Sequence, residues 1–349
     1  MVSILILSNH YEGVPLAIRL SEEGHICKVH FNGSNNYLKN STNPSIVANP
    51  KKLIEQYDLI LQFPYSGQED LIKEAKELNK VTLGGKFNNK LYTEVEYINS
   101  IRDMLHPEVT LIENEEFLNL AVTAWFYHGE ITLSYLSFPY TKFMERDKGY
   151  TAMQGMVTQS IDLNSKLIKQ TFTCLIPLLE KVKYTGPLTL HLNLSKDNCL
   201  WLNFNPFIDE TFYSFIELLK CSTFDFLYKV LQGKGDTALR EDVSISCCLS
   251  IPPYPYEFPY EKMLEVKDYV DVPKPAIPHS YLLPLTLTGF LGFLTARGGN
   301  VNEARRRLYR TVNNSVLNNT VQYRSDIGLT YDVAFNKLKE WEWLSNGNS

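Results

Sequence analysis

The sequence predicts an α/β protein in three parts: a domain built on a parallel sheet over residues 1–86, an α+β domain over 87–233, and a small β-rich domain with closing helices over 234–349. Three observations lead there. Strand-length apolar runs alternate with helix-length amphipathic runs through the first 83 residues, the pattern of parallel strands joined by right-handed crossovers. From Leu120 the pattern changes to strand-like alternation broken by hairpin turns. Beyond Gln232-Gly233-Lys234-Gly235, a linker by composition, the chain becomes rich in Pro and Tyr.

In order, residues 3–7 read as a buried first strand, 14–23 as its helix ending at Gly24, and 27–31 as the second strand. Residues 32–50, rich in Asn, Ser and Pro, read as a surface loop. A third strand is expected over 58–63, a helix over 69–78 and a short fourth strand over 81–83. Strands over 120–127 and 131–136 flank a turn at His128-Gly129. One long amphipathic helix is expected over 163–182, then strands over 186–194 and 200–205, then a helix over 217–231. The last part should hold a strand over 289–296, a helix over 302–312 and a final helix reaching Trp343.

Composition sets bounds on function. A hydrophobic fraction of 44% with 21% charged residues is that of a globular protein with a real core. A formal charge of −5 gives no global attraction to nucleic acid. The six cysteines show no CxxC or Cys/His spacing, so they read as buried thiols in a reducing compartment rather than as a disulfide framework or zinc site. The N-terminus lacks the basic region and long apolar core of a signal peptide, and the most apolar window, 282–296, is broken by Pro284 and glycines. A cytoplasmic protein without a membrane partner is expected.

The most specific motif lies near the C-terminus. A glycine-bounded strand, 289–298, is followed by a helix bearing Glu303-Ala304-Arg305-Arg306-Arg307 and then by Gln322-Tyr323-Arg324-Ser325-Asp326-Ile327-Gly328. This order resembles the end of glycinamide ribonucleotide synthetase, the purine-pathway ATP-grasp ligase that joins glycine to phosphoribosylamine. The resemblance implies a Rossmann-like first domain, a central ATP-grasp-like α+β domain and a small C-terminal domain. It places the segment Lys148, Gly149 to Gly155, Met156 where the family has a glycine-rich loop over its substrates. It also places Asn203-Phe204-Asn205 on the strand that carries the family's magnesium ligands, with Asp209-Glu210 just beyond.

Three departures from the family bear on chemistry. The first loop, Ser8 to Gly13, lacks the family's glycine-rich pattern, and Gly13 alone is a weak phosphate cradle. Asn203 stands where the family has a metal-binding glutamate, and a neutral amide is a poor ligand for a hard divalent cation. Between Lys90 and Leu120 the chain is too short for the second ATP-grasp lobe that clamps the nucleotide, so the central domain reads as truncated. No nucleotide or metal cofactor is therefore expected.

The candidate substrate-binding residues are Asn203, Asn205, Asp209, His191, Lys148, Gly149, Gly155, Met156 and Arg324, with no catalytic residue singled out. His191 reads more readily as a satisfied core or edge histidine of its apolar strand than as a pocket residue facing Asn203 and Asn205. Arg305, Arg306 and Arg310 form a basic helix face, solvated or in contact with a DNA backbone. The partners this implies are an amino acid and a phosphorylated, nucleotide-type acceptor. Three functions remain open: an ATP-independent transferase joining an amino acid to a phosphate- or pyrophosphate-activated nucleotide or DNA base, as in viral DNA hypermodification; the ATP-dependent ligase of purine synthesis; and a non-catalytic scaffold.

Overall fold

The computed structural model describes residues 1–8, 12–31, 47, 51–63, 69–83, 117–234, 239–256, 260, 264–272, 279–283, 285–286 and 288–345. Most of the expected 32–50 loop, and the 84–116 segment on which the missing lobe turns, lie outside the described residues.

Strands β1 (Ser3–Ser8), β2 (Ile26–Phe31), β3 (Leu59–Gln62) and β4 (Val81–Leu83) form a parallel sheet in the order β2-β1-β3-β4. Its strands read as unbroken apolar runs because both faces are covered. Ile4 and Ile6 pack with Val14, Leu16, Ala17 and Leu20 of α1 (Val14–Glu22), while Leu5 and Leu7 pack with Leu71 and Ala75 of α2 (Glu69–Glu77). From β1 the chain goes to one side for β2 and then to the other for β3. In parallel α/β sheets such a reversal marks the crevice outside the carboxyl ends of the strands, here beyond Ser8 of β1 and Gln62 of β3.

The larger sheet has eight strands: β5 (Leu118–Tyr127), β6 (Glu130–Met144), β7 (Lys148–Ser160), β8 (Gly186–Leu194), β9 (Cys199–Asn205), β10 (Val243–Ser250), β11 (His279–Leu282) and β12 (Phe290–Gly298). They run in the order β11-β12-β10-β7-β6-β5-β8-β9, every neighbour antiparallel. The pairing of β10 with β7 carries the sheet across the boundary drawn at 233/234, so strands from both sides of the linker share one layer. Leu120, Leu136, Val157, Leu190 and Ile245 face a helical cover of α3 (Lys166–Phe172), α4 (Ile176–Lys181), α7 (Val301–Asn314) and α8 (Tyr331–Glu340). The opposite face packs on α5 (Glu210–Phe215), α6 (Thr223–Leu231) and the Ile4/Ile6/α1 side of the parallel sheet.

Several elements differ from expectation. The single helix over 163–182 is two, because Pro177 in the first turn of α4 lacks the N–H that would continue the α3 ladder. The helix over 217–231 is a 3-10 turn, Ile216–Leu218, followed by α6, which Ser222 caps by accepting the Asp225 N–H at 3.0 Å. Helix α5 was not expected: Thr211, Phe212, Tyr213, Ser214 and Phe215 are all buried between two layers, so it has no polar face to reveal its period. The 148–156 segment, expected as a loop, is the first part of β7. Of the cysteines expected to be buried, Cys174 is exposed and Cys199 and Cys221 are partly so. Among the described residues no helix is long and apolar enough to cross a membrane.

Candidate functional site

Register lays out the polar face of the large sheet. Asn203 pairs with His191, His191 with Ala121, Ala121 with Ser137, Ser137 with Thr158 and Thr158 with Ser244, so one row crosses six strands. The next row runs Asn205, Thr189, Thr123, Tyr135 and Ser160. Toward its middle this face is dry and its hydroxyls satisfy one another: Thr123 with Thr189 at 2.9 Å, Ser137 with Thr158 at 2.9 Å, and Tyr135 with Thr211 of α5 at 3.1 Å. Toward the β9 edge it opens. His191 is half-buried and Asn203 is exposed.

The chain leaves β9 through a locked turn. The Asn205 side-chain oxygen accepts the Phe207 N–H at 3.0 Å, and its Nδ2 donates to Asp209 Oδ2 at 3.0 Å. Asp209 caps α5 by accepting the Thr211 N–H at 3.0 Å, and is itself buried. The Ile208 N–H donates to the Gln62 carbonyl at 3.1 Å, which seats this turn on the crevice of the parallel sheet. Glu12 stands on the crevice's other lip, where its carboxylate accepts the Ser8 hydroxyl at 2.6 Å and its carbonyl accepts the Tyr213 hydroxyl.

Glu210, the first residue of α5, follows directly. Its side chain reaches solvent. Desolvation, then the charges of Asp209 and Glu12, push its carboxyl up to about 7. Burial and the Glu12 charge likewise raise the Tyr213 phenol on the same helix.

The structure thus brings Asn205, Asp209, His191 and Asn203 to one face, with His191 and Asn203 cross-strand partners. Of the remaining candidates, Met156 shares that face with Thr158 but is buried farther across the sheet, and the others lie elsewhere. Arg324 is on the opposite, helix-covered face, 1% exposed. Its guanidinium makes a bidentate pair with Asp326 at 2.7 Å, reaches Asp147 at 2.9 Å and donates to the Lys142 carbonyl, pinning the β6–β7 hairpin tip to the C-terminal motif. Burial works against the charge on Asp326, but the Arg324 guanidinium and the Arg146 N–H outweigh it and hold that carboxyl below its ordinary value.

Gly155 also belongs to packing: at φ +149° a Cβ there would lie 2.1 Å from the Ser246 carbonyl of β10. Met156 is fully buried between β6 and β10. Lys148 and Gly149 are exposed at the hairpin tip, where Gly149 takes the positive φ of the turn. Arg305 spends its guanidinium on the Ile327 and Ser325 carbonyls. Arg306 and Arg310 are exposed, but on α7, across the sheet from the polar face. The residues missed from sequence are Glu12 and Glu210. The available signal was a carboxylate in the first strand-to-helix loop and another beside a capping aspartate.

No protein-family model matches the chain, and no curated protein does. Solved structures do. Phosphoribosylamine–glycine ligase from Thermotoga maritima aligns with a TM-score of 0.59 at 15% identity, over 93% of this chain and 100% of that one. N5-carboxyaminoimidazole ribonucleotide synthetase from the same organism aligns at 0.56 and 12% identity, over 93% and 99%. Pyruvate carboxylase from Rhizobium etli aligns at 0.61 and 12%, over 96% of this chain and 37% of that one. The chain shares its overall fold with these enzymes.

Whether the residues present fit the metal–nucleotide pair that the sequence resemblance implies is a matter of donor chemistry. At the two strand positions that the sequence resemblance assigns to metal ligands, Asn203 accepts the Phe204 N–H at 2.8 Å and Asn205 accepts the Phe207 N–H. Both amide oxygens are neutral and turned back on the backbone, and among the described residues no three His, Cys, Asp or Glu side chains converge as a metal site. These residues do not fit a hard divalent cation bridging a triphosphate.

Proposed function

We propose that this ligase-like protein joins an amino acid, through its amine, to an acceptor already activated as a phosphate or pyrophosphate ester on a nucleotide or DNA base. The observation that carries the reading is the pair of asparagines where the fold would seat its metal: a scaffold for coupling amines, without the donors that make ATP usable. An acceptor carrying its own leaving group removes the need for that step.

The crevice suits the amine partner. Glu12, Asp209 and Glu210 give it a negative field that attracts an ammonium group. The open row of Asn203 and His191 offers donors and acceptors to a polar heterocycle. Holding the two partners side by side supplies most of the advantage in such a displacement. Because Arg306 and Arg310 lie across the sheet, a free nucleotide suits this placement better than DNA gripped by α7.

A second reading, the ATP-dependent coupling of a carboxylate to an amine, is favoured by the fold match running over the whole phosphoribosylamine–glycine ligase chain. One pair of experiments separates them. Calorimetry with Mg-ATP should show no saturable binding, and thermal unfolding should not shift with it, since a ligand stabilises only the state it binds. Incubation of the twenty amino acids with a nucleotide bearing a pyrophosphorylated hydroxymethyl base should give an amino-acid adduct and free pyrophosphate by mass spectrometry. Micromolar Mg-ATP binding with ADP release would overturn the transferase in favour of the ligase. Silence in both would leave the scaffold.

A further inference from the structure

We infer that the tip of the β6–β7 hairpin binds single-stranded nucleic acid, with bases stacked on Tyr150 and Tyr256 and phosphates held by the cations of the tip. The inference goes beyond the transferase reading and does not depend on it.

The hairpin outruns its neighbours in the sheet. The pairing of β5 with β6 reaches only to Ser137, and that of β10 with β7 only to Gly155. Beyond Tyr140 and before Gly155 the two strands pair with each other alone and form an arm. Two sets of contacts fix it. From the C-terminal motif, Arg324 holds the Lys142 carbonyl and Asp147, and Asp326 accepts the Arg146 N–H at 2.8 Å. From the Pro-rich turn after β10, the Tyr254 ring packs 6.3 Å from Phe143 and 5.9 Å from Phe290, and its hydroxyl donates to the Met153 carbonyl at 3.4 Å.

The same turn carries Tyr256, whose N–H donates to the Pro253 carbonyl at 2.9 Å. Its ring centroid lies 5.6 Å from that of Tyr150, with the two planes tilted by 52°. Tyr150 is 50% exposed and Tyr256 56%. Single exposed apolar side chains are ordinary. Two neighbouring rings on a pinned arm are different, because they offer open π-faces that lose little conformational entropy when covered.

Charge selects the occupant. Both carboxylates of the tip are engaged: Glu145 accepts the Ser325 hydroxyl, and Asp147 accepts Arg324 Nη1 at 2.9 Å. The cations are not neutralised. Among the described residues no ion pair holds Lys142, Arg146 or Lys148, and Lys142 Nζ donates to the uncharged Thr151 hydroxyl at 2.7 Å. Flat rings beside unpaired cations fit a polyanion made of planar bases. Helix α7 also exposes cations, at Arg306 and Arg310, but no aromatic ring on which a base could stack. A free nucleotide finds one stack and one phosphate contact at the tip and binds at about millimolar or weaker. That is in keeping with the absence of saturable Mg-ATP binding expected above. A strand finds both rings and several cations at once.

The test is fluorescence anisotropy with the full chain and a labelled oligodeoxythymidine of about twelve nucleotides, beside an abasic oligomer of the same length. The wild type should hold the oligodeoxythymidine at least about tenfold more tightly than the abasic strand. Tyr150→Ala and Tyr256→Ala should each weaken it by roughly 5- to 150-fold, the weight of one base–aromatic stack, while Tyr150→Phe keeps the ring and the affinity. Lys148→Ala should lower the slope of log affinity against log salt by about 0.7, one phosphate contact on a single strand. Arg306→Ala, across the sheet on α7, should change neither. Because both rings are half exposed, the alanine variants should keep the wild-type circular dichroism. Failure of the wild type to bind, equal affinity for the abasic strand, or wild-type affinity in both alanine variants overturns the inference. So does a wild-type dimer in sedimentation that either alanine variant dissolves, since the rings would then serve a subunit interface. The transferase stands or falls separately, on the product assay with the pyrophosphorylated nucleotide.

Discussion

Replacing Glu210 with Gln should stabilise the protein at alkaline pH. In the unfolded chain this carboxyl ionises near its ordinary 4.5, and in the folded chain near 7. Between those values the folded state keeps a proton that the unfolded state has lost. Stability therefore falls as pH rises through this window and levels off above it. A gap of that size is worth about 3 kcal/mol at 1.36 kcal/mol per pH unit. Because the side chain reaches solvent, screening reduces this to about 1–2 kcal/mol. Glutamine cannot ionise, so the variant escapes the penalty.

The assay is urea unfolding at pH 5 and pH 8, followed through Trp125, which is buried against Phe226 of α6. The difference between variant and wild type should grow in the variant's favour from pH 5 to pH 8 by about 1–2 kcal/mol, at an unchanged denaturant slope. A difference that is flat with pH, or a variant less stable at pH 8, would refute the claim that desolvation and like charge raise this carboxyl.

Arg324→Met should lose about 3–5 kcal/mol in urea unfolding, because it strips the buried partner from Asp326 and frees the hairpin tip. The wild type should itself lose stability as pH falls below about 4, when Asp326 is protonated; in Arg324→Met this acid step should be smaller. Gly155→Ala should cost at least about 3 kcal/mol, since its Cβ meets the Ser246 carbonyl and the β7–β10 pairing must open; a thermal midpoint equal to wild type would contradict this. Asn205→Leu should lower stability by about 1–3 kcal/mol, leaving the Phe207 N–H and the buried Asp209 carboxyl each short of a partner. It should also lower turnover by loosening the turn seated on the crevice; unchanged stability with lost turnover would instead make Asn205 a direct ligand contact.

Where strands and helices alternate on their own local pattern, sequence reading and structure agree. All four strands of the parallel sheet, helices α1 and α2, and the β5–β6 and β8–β9 pairs were legible because each buries a continuous or alternating apolar set. The helix break before Pro177 and the buried α5 were not read. The first needs one residue's missing N–H weighed against a long amphipathic run, and the second shows no polar face at all.

By itself the sequence determined the order of these elements, the C-terminal motif and an asparagine, Asn203, at the strand position where the resemblance expects a carboxylate. It grouped Arg324, Gly155 and Met156 with Asn203 because they recur together in a family pattern. Only the tertiary structure sorted them. Side chains alternate across a strand, so a single sheet sends Gly155 and the Arg324 contacts to its helix-covered face and His191 and Asn203 to the other. Glu12 and Glu210, 198 positions apart in the numbering, meet because the end of β9 docks on the crevice of the parallel sheet through Ile208 and Gln62. The shift of the Glu210 carboxyl exists only in that arrangement, since desolvation and like charge are properties of what surrounds a residue in space.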